Sequence, residues 1–551
     1  MLIIFIYSLL IIILTIPFSR ILLSNNNNNF YSYSKELLFG MIFLSFIAIF
    51  LNFFTSLNTV INSAIPLLSL IILFKHKKNY FNKKFLIFLL SQSIFITILV
   101  TESNVYRPDA GLYHLPFIGI LNSEKIILGL SNIHFRYGHT SIIQYFSAIN
   151  NNIIFFDNGI IFAQALIASS VTLCFLYQIY IYNKTKNFNF HFFFIFFVSI
   201  YIAYKMNRYS EFGNDAPAHF LVFFLISEIL IYKTKFTNKE FINQLFVSLF
   251  IITNKITLIP ILIFNLIDFK KIDFNQILFN KKLYVLSFFL FMWLIKNTLM
   301  TGCLVYPVKQ FCFNNFIWTD IKTIKKVAVS SEAWTKGISD IKNENIEIKQ
   351  FNKNFIWIEA WLSKHFIYII NILIPYIILL FLILFIIKFN ANKKKLSEQK
   401  NNNLIIFISF ITVLVWFIKA PMYRYGYSLI VVFISLIFSN LLTKTLFKKE
   451  IVFRMSNFIV ILILIAITSK NLFRIIKTNN NYYNYPWVKY YSMKNDNKKN
   501  ILSKTTLRGK NLTIPDENYC MYTKTVCAHY GLPNNFDIIK FYNYEIFYIR
   551  G

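Results

Sequence analysis

Residues 102–144 read ESNVYRPDAGLYHLPFIGILNSEKIILGLSNIHFRYGHTSIIQ and hold Glu102, Arg107, Asp109, His114, His134, Arg136 and His139. On either side the chain turns apolar, with candidate spans at 85–101 and 159–182. Ionisable groups are expensive beside or inside a bilayer, so a cluster of them there calls for a physical reason. Chemistry on a polar substrate is the leading one.

Working outward, composition fixes the class. Of 551 residues, 56% are hydrophobic and 19% aromatic, with 64 Phe, and the mean hydropathy is +0.53. Soluble domains carry less apolar content. Apolar runs recur at 2–19, 36–54, 59–74, 85–101, 159–182, 189–204, 216–232, 283–299, 365–388, 403–419, 426–442 and 451–468. Each is long enough to cross hydrocarbon as a helix. Ten-residue alternating strands of a membrane barrel are not seen. In 241–268 an apolar run meets Thr253-Asn254-Lys255, then a second run containing Pro260. A lysine at the centre of one span would be costly, so two short helices joined by a turn at Lys255 are expected. The fold class is therefore an all-α polytopic membrane protein of about 13–14 transmembrane helices, with external loops and a small C-terminal α/β or β extramembrane unit. The N-terminus lacks a basic start and a small-residue cleavage site, so its first run is expected to be retained.

Short loops orient the chain. Residues 75–84 carry five lysines and no acid, and 184–186, 233–239, 270–282, 393–400 and 444–449 are also basic. The positive-inside rule places these in the cytoplasm. Alternation then sends 102–157, 205–215, 301–364, 420–425 and the tail after residue 469 to the opposite face. With 56 Lys plus Arg against 24 Asp plus Glu, the formal charge is +32. In a soluble chain that balance suggests nucleic acid. Here basic loops on an anionic leaflet account for it, and no nucleic-acid partner is expected. The lipid bilayer is the first partner. Most ionisable groups gather at the external ends of spans, and no internal repeat is detected, which speaks against a transporter.

Four cysteines fall as close pairs in external segments, Cys303 with Cys312 and Cys520 with Cys527. Disulfides suit an oxidising compartment; cross-pairing between the two is the alternative the spacing leaves open. Cys174, inside a span, reads as a packing residue. Segment 102–157 is expected to form short helices lying along the membrane surface. The end of the tail, IIKFYNYEIFYI, reads as a strand. Asn25–Asn29 and Asn401–Asn403 are low-complexity tracts. No P-loop, dinucleotide turn, G-x-S-x-G or H-E-x-x-H occurs.

Asp109-Ala-Gly-Leu-Tyr113-His114-Leu-Pro116 and Gly129-Leu-Ser-Asn-Ile-His134-Phe-Arg136-Tyr-Gly138 resemble a group of uncharacterised bacterial multi-pass proteins. That group is similar to the GT-C superfamily of membrane glycosyltransferases. Glu211-Phe-Gly-Asn-Asp215-Ala-Pro217, Thr301-Gly-Cys303-Leu-Val-Tyr306-Pro307 and Ala420-Pro421-Met-Tyr-Arg424-Tyr425-Gly426 strengthen the resemblance. It covers most of the chain from about 85 onward. The organisation it suggests is N-terminal additional spans at 1–84, a core at 85–300 with loop 102–157, an external loop at 301–364, C-terminal spans at 365–468 and an external tail unit at 469–551.

The resemblance implies transfer of a sugar from a polyprenyl phosphate or diphosphate to a glycan or lipid acceptor at the external face of a bacterial inner membrane. It implies an acid in the first external loop as general base or metal ligand, and a second acid in the next loop. Asp109 and Asp215 stand at those places. Relatives often carry Asp-Glu at the first site; here Ala110 follows Asp109, Glu102 is the substitute in space, and a divalent cation stays open as cofactor. The chemistry asks for a carboxylate to take the acceptor's proton and fixed cations for the leaving phosphate. Arg107, Arg136, Lys255 and Arg424 are the cation candidates, with Tyr113, His114 and His134 as further substrate contacts. Each has a structural alternative. Asp109 and Asp215 stand where a helix cap belongs. Arg424 is placed to snorkel. His114, His134 and His139 are the metal candidates, and Trp334, Trp357 and Trp361 suit stacking on sugars or, the favoured reading, an interfacial belt. A transporter of envelope precursors and a non-catalytic assembly protein are the alternative functions.

Overall fold

In the computed structural model the described residues are all but 24–27, 102–108, 207–211, 233–236, 268–270, 339–347, 390–401, 445–446, 478–481, 484–486, 489–491, 494–501, 516–518, 530 and 551. Helices begin where asparagine supplies a cap. Asn29, Asn82, Asn189 and Asn280 each accept a bond from a backbone N–H of the first turn, and Thr237 does the same. A short side-chain oxygen satisfies one of the four orphan donors of a helix start. All five caps precede helices that start at one end of the bundle, beside the lysine-rich loops.

The helices are α1 Leu2–Leu22, α2 Phe30–Phe54, α3 Thr59–Lys75, α4 Lys83–Val100, α5 Leu115–Ser123, α6 Ile142–Ile149, α7 Phe156–Thr185, α8 Phe190–Lys205, α9 Asp215–Tyr232, α10 Asn238–Asn254, α11 Lys281–Thr301, α12 Ile321–Thr335, α13 Trp357–Phe389, α14 Asn403–Lys419, α15 Tyr423–Thr443 and α16 Lys449–Ile476. Among the described residues, nine helices are long and apolar enough to cross a membrane, with four shorter apolar ones beside them. The turn at Lys255 is present: α10 ends at Asn254 and a 3₁₀ stretch, Ile256–Leu266, turns back with Pro260 inside it. Proline lacks an N–H and blocks a regular α-turn.

The core is built around α7, whose most apolar 18 residues are 94% buried, with α13 and α16 on the periphery, where the corresponding shares are 28% and 22%. The apolar outer faces of those two helices suit hydrocarbon contact.

At the basic end, ion pairs are buried where sequence reasoning placed almost none. Lys35 on α2 bonds Glu228 on α9 and lies 3.7 Å from Glu240 on α10, and Tyr31 donates to Glu228. Arg20 lies 3.1 Å from Glu36 and donates to the Tyr80 hydroxyl at 2.9 Å. The expectation that ionisable groups gather at the external ends is thus corrected. Glu36 and Glu228 lie inside apolar runs and Lys35 at the edge of one, and only the fold pairs them.

At the opposite end, segment 110–149 does not lie along a surface. α5 and α6 are buried almost throughout, because α2 packs below them and the C-terminal unit lies above. Asn122 Nδ2 donates to the carbonyls of Leu57 and Ala148 at 2.7 and 2.9 Å.

The C-terminal unit is a set of small sheets. β1 Tyr482–Tyr483 pairs with β2 Ser492–Met493. β3 Leu502–Leu507 and β4 Lys510–Pro515 are antiparallel, and β5 Val526–Cys527 runs parallel to β4. The terminal run expected as one strand is a hairpin, β6 Phe536–Phe541 and β7 Tyr544–Ile549. Tyr542 takes a positive φ at the turn. Disulfides join Cys303 to Cys312 and Cys520 to Cys527, and Cys174 is buried and free. The unit docks through backbone: Leu128 N–H donates to Glu545 O at 3.0 Å, and Phe547 N–H to Leu128 O at 2.8 Å.

Candidate functional site

Five stretches of chain bring their charged residues together at the end opposite the lysine-rich loops. Asp109 precedes the turn that leads into α5. Arg136 lies in the 3₁₀ turn Phe135–His139. Asp215 starts α9, Lys255 follows α10, and Arg424 sits in the first turn of α15.

Asp109 Oδ1 lies 2.6 Å from Arg136, and its Oδ2 lies 3.5 Å from Arg424. Asp215 bonds Lys255 through Oδ1, and its Oδ2 lies 3.9 Å from Arg424 Nε. Arg424 therefore bridges the two carboxylates. The capping alternative for Asp109 is not realised, since its side chain makes no cap bond and turns to the arginines.

Aromatic faces carry the cations. Lys255 Nζ sits 3.9 Å from the centre of the Tyr425 ring. The Arg424 guanidinium lies 5.0 Å from both Tyr425 and Trp334, and that of Arg136 is 5.0 Å from Tyr113. Cation–π contacts of this length orient a guanidinium without quenching its charge. Trp334, expected in an interfacial belt, instead adjoins the site. Trp357 and Trp361 are buried, packed on Phe417, which corrects the belt expectation for both. Sequence reasoning named Trp334 as a possible sugar platform but missed Tyr425, whose only signal is its place beside Arg424.

Polar side chains beneath the charges fix their positions. Ser141 caps α6, its backbone N–H donating to Gln144 Oε1 at 2.9 Å. That bond orients the amide, so Gln144 Nε2 donates to His114 Nδ1 at 2.8 Å. The ring proton of neutral His114 then sits on Nε2. Burial pushes His114 down to about 4, with Asp109 and Asp215 pulling the other way, so it is a neutral donor at pH 7. Ser141 Oγ also donates to Asn254 Oδ1 at 2.7 Å, and Asn214 Nδ2 to Asn254 O at 3.0 Å. His219, fully buried, bonds the Arg424 carbonyl at 2.9 Å and Ser428 at 2.6 Å. It thereby ties α9 to α15, one turn from Asp215.

Other expected residues lie elsewhere. Glu102 and Arg107 fall outside the described residues. His134 packs on His529 of the C-terminal unit, ring centres 3.8 Å apart, and His139 packs on Tyr306. The histidines do not converge, and no group of three metal-ligating side chains occurs among the described residues. A divalent cation does not fit the central cluster either, because each carboxylate is already held by two cations.

The family model described as "Domain of unknown function (DUF8201)" matches residues 1–431. The chain belongs to that family. The match starts at residue 1 and ends inside α15, so all five central charged residues lie within it. Comparison with curated proteins and with solved structures gave no match.

Proposed function

We propose that this family member is a multi-pass membrane glycosyltransferase that moves a sugar from a polyprenyl phosphate or diphosphate to a cell-envelope acceptor at the external face of a bacterial inner membrane. One observation carries the reading. Two carboxylates and three cations, drawn from distant parts of the sequence, meet at the end of an apolar helix bundle. The resemblance of the Asp109 and Asp215 segments to GT-C enzymes supports it.

The chemistry follows from the pairing. The acceptor hydroxyl attacks the anomeric carbon, its oxygen bonds that carbon, and the bond from carbon to the phosphate oxygen breaks. The hydroxyl proton needs a carboxylate within reach. Asp109 is the better candidate base, because its Oδ2 meets only an arginine at 3.5 Å, whereas Asp215, although its Oδ2 lies 3.9 Å from Arg424, is locked through Oδ1 to buried Lys255. Arg424 suits the leaving phosphate because its planar fork matches phosphate oxygens. Its move toward the phosphate frees Asp109 Oδ2 as the proton acceptor. His114 Nε2–H offers an uncharged donor to a sugar or phosphate oxygen.

The test is cell-envelope glycan composition in Asp109→Asn against wild type at matched protein level. Loss of a glycan component is expected. An unchanged profile would sink the enzyme and favour a transporter of envelope precursors. The buried Lys35–Glu228 pair favours that second reading, since it puts titratable groups near the far end of the helix that starts at Asp215.

A further inference from the structure

The C-terminal unit lies beyond the family match, which ends at residue 431, yet it grips the two segments that carry Asp109 and Arg136. Residues 520–527 form a loop closed by the Cys520–Cys527 disulfide, with both cysteines buried. At one end of the loop Met521 N–H donates to Gly111 O at 2.9 Å, inside the turn Ala110–His114 that Asp109 precedes. At the other end Cys527 O accepts from the Tyr137 hydroxyl at 3.1 Å. Tyr137 is fully buried and belongs to the turn that holds Arg136. Between the two ends the Thr523 carbonyl is pressed against Gly119 of α5, and the Tyr522 hydroxyl donates to Asn122 Oδ1 at 3.0 Å.

A second tie reaches Arg136 itself. His134 Nδ1 accepts the Arg136 backbone N–H at 3.3 Å, and the His134 ring lies 3.8 Å from that of His529, two residues beyond Cys527. The Arg136 charge also acts on His529, adding to burial in holding that ring neutral. The ion pair these contacts frame is open to water. Asp109 and Arg136 are 27% and 32% exposed, with 2.6 Å between their charged atoms. A pair so exposed gains little from its own attraction. Its geometry is set by the backbone that carries it, and the disulfide limits how far the two gripping ends can part, with Cα atoms 6.1 Å from each other.

We propose that the Cys520–Cys527 loop is a positioning clamp that fixes the spacing of the segments bearing Asp109 and Arg136. With the clamp in place Arg136 engages Asp109 Oδ1, and Oδ2 is left facing the acceptor hydroxyl. Tyr137 is the positioning residue through which the loop acts on Arg136. The effect on rate rests on the glycosyltransferase reading above; the mechanical tie does not.

Two measurements on the full chain test this. The first is the rate at which cells incorporate the envelope glycan component that Asp109→Asn loses, at matched protein level. Tyr137→Phe, which keeps the ring and removes the hydroxyl, should lower it roughly tenfold, because small misplacement of a reacting group is costly. In an Arg136→Gln background the same change should add nothing, since the two act as one unit. Independent, multiplying losses would show a merely structural tyrosine and overturn the clamp. The second is hydrogen–deuterium exchange of the purified protein in lipid nanodiscs. Cys520→Ser with Cys527→Ser should speed exchange in 110–114 and 134–139 together, by roughly tenfold, while the start of α9 keeps its wild-type rate. Faster exchange confined to the loop itself overturns the clamp. An unchanged glycan profile in Asp109→Asn removes the enzyme reading alone, and exchange then decides the clamp. Should the serine pair fail to fold, exchange of 134–139 in Tyr137→Phe decides it.

Discussion

Arg424 is the residue on which the site turns, because it touches both carboxylates and lies against two aromatic faces. A preorganised cation aimed at developing charge acts strongly in a site shielded from water. Arg424→Ala is expected to lower sugar transfer from a lipid-linked donor by roughly 10²–10³-fold. Arg424→Lys should recover only part, since a point charge cannot span two oxygens. Recovery to wild-type rate would show that charge alone matters. Neither the bridging role nor the support from His219 was readable in the sequence. Arg424 stood out because an arginine on a turn between two spans is conspicuous. His219 looked like one more residue of an apolar run.

At the scale of elements, the contact of α5 with the C-terminal unit is backbone on backbone. Gly119 lies against the carbonyl of Thr523, and a Cβ there would collide with it. A main-chain oxygen cannot swing aside as a side-chain end can. Gly119→Ala is therefore expected to cost about 1–3 kcal/mol, the usual range for forced overpacking. Thermal unfolding would check this, together with protease release of the tail; an unchanged melting temperature counts against the packing. The long apolar helices and the split at Lys255 were legible, because extended apolar runs and the cost of a central lysine leave few alternatives. The burial of α5 and α6 was not. Their apolar pattern is the same whether the cover is lipid or protein.

At the scale of the molecule, two ends with different chemistry face apart. One is tied by Lys35, Glu228 and Glu240. Removing one partner of a buried pair strands the other, so Glu228→Gln is expected to destabilise the fold by about 3–5 kcal/mol. The double change Glu228→Leu with Lys35→Met should restore much of it. A single variant as stable as wild type in thermal unfolding would refute the tie.

The other end is closed by the C-terminal unit, and its histidines give it a pH dependence. Burial, then the charge of its His529 neighbour, pushes His134 down to about 2, and burial, then Arg136, pushes His529 to about 4. Both values lie below the ordinary 6.5 of a histidine, so the folded state favours neutral rings. Stability from this contact is complete above about pH 6.5 and declines as pH falls toward 4. His529→Gln should flatten the decline between those limits in an unfolding series; the same slope in wild type and variant would place the effect elsewhere.

The sequence by itself determined the class, the two-ended distribution of loops, the helix starts and the residues worth watching, because hydrophobicity, caps and charge act locally and leave local marks. Only the tertiary structure decided which charges meet. Asp109 and Arg424 are 315 positions apart in the chain, and their carboxylate and guanidinium lie 3.5 Å apart in space. Lys35 with Glu228, and Lys296 with Thr140, are likewise products of helix packing. Pairing of that kind depends on how helices pack in three dimensions, and no window of sequence carries it.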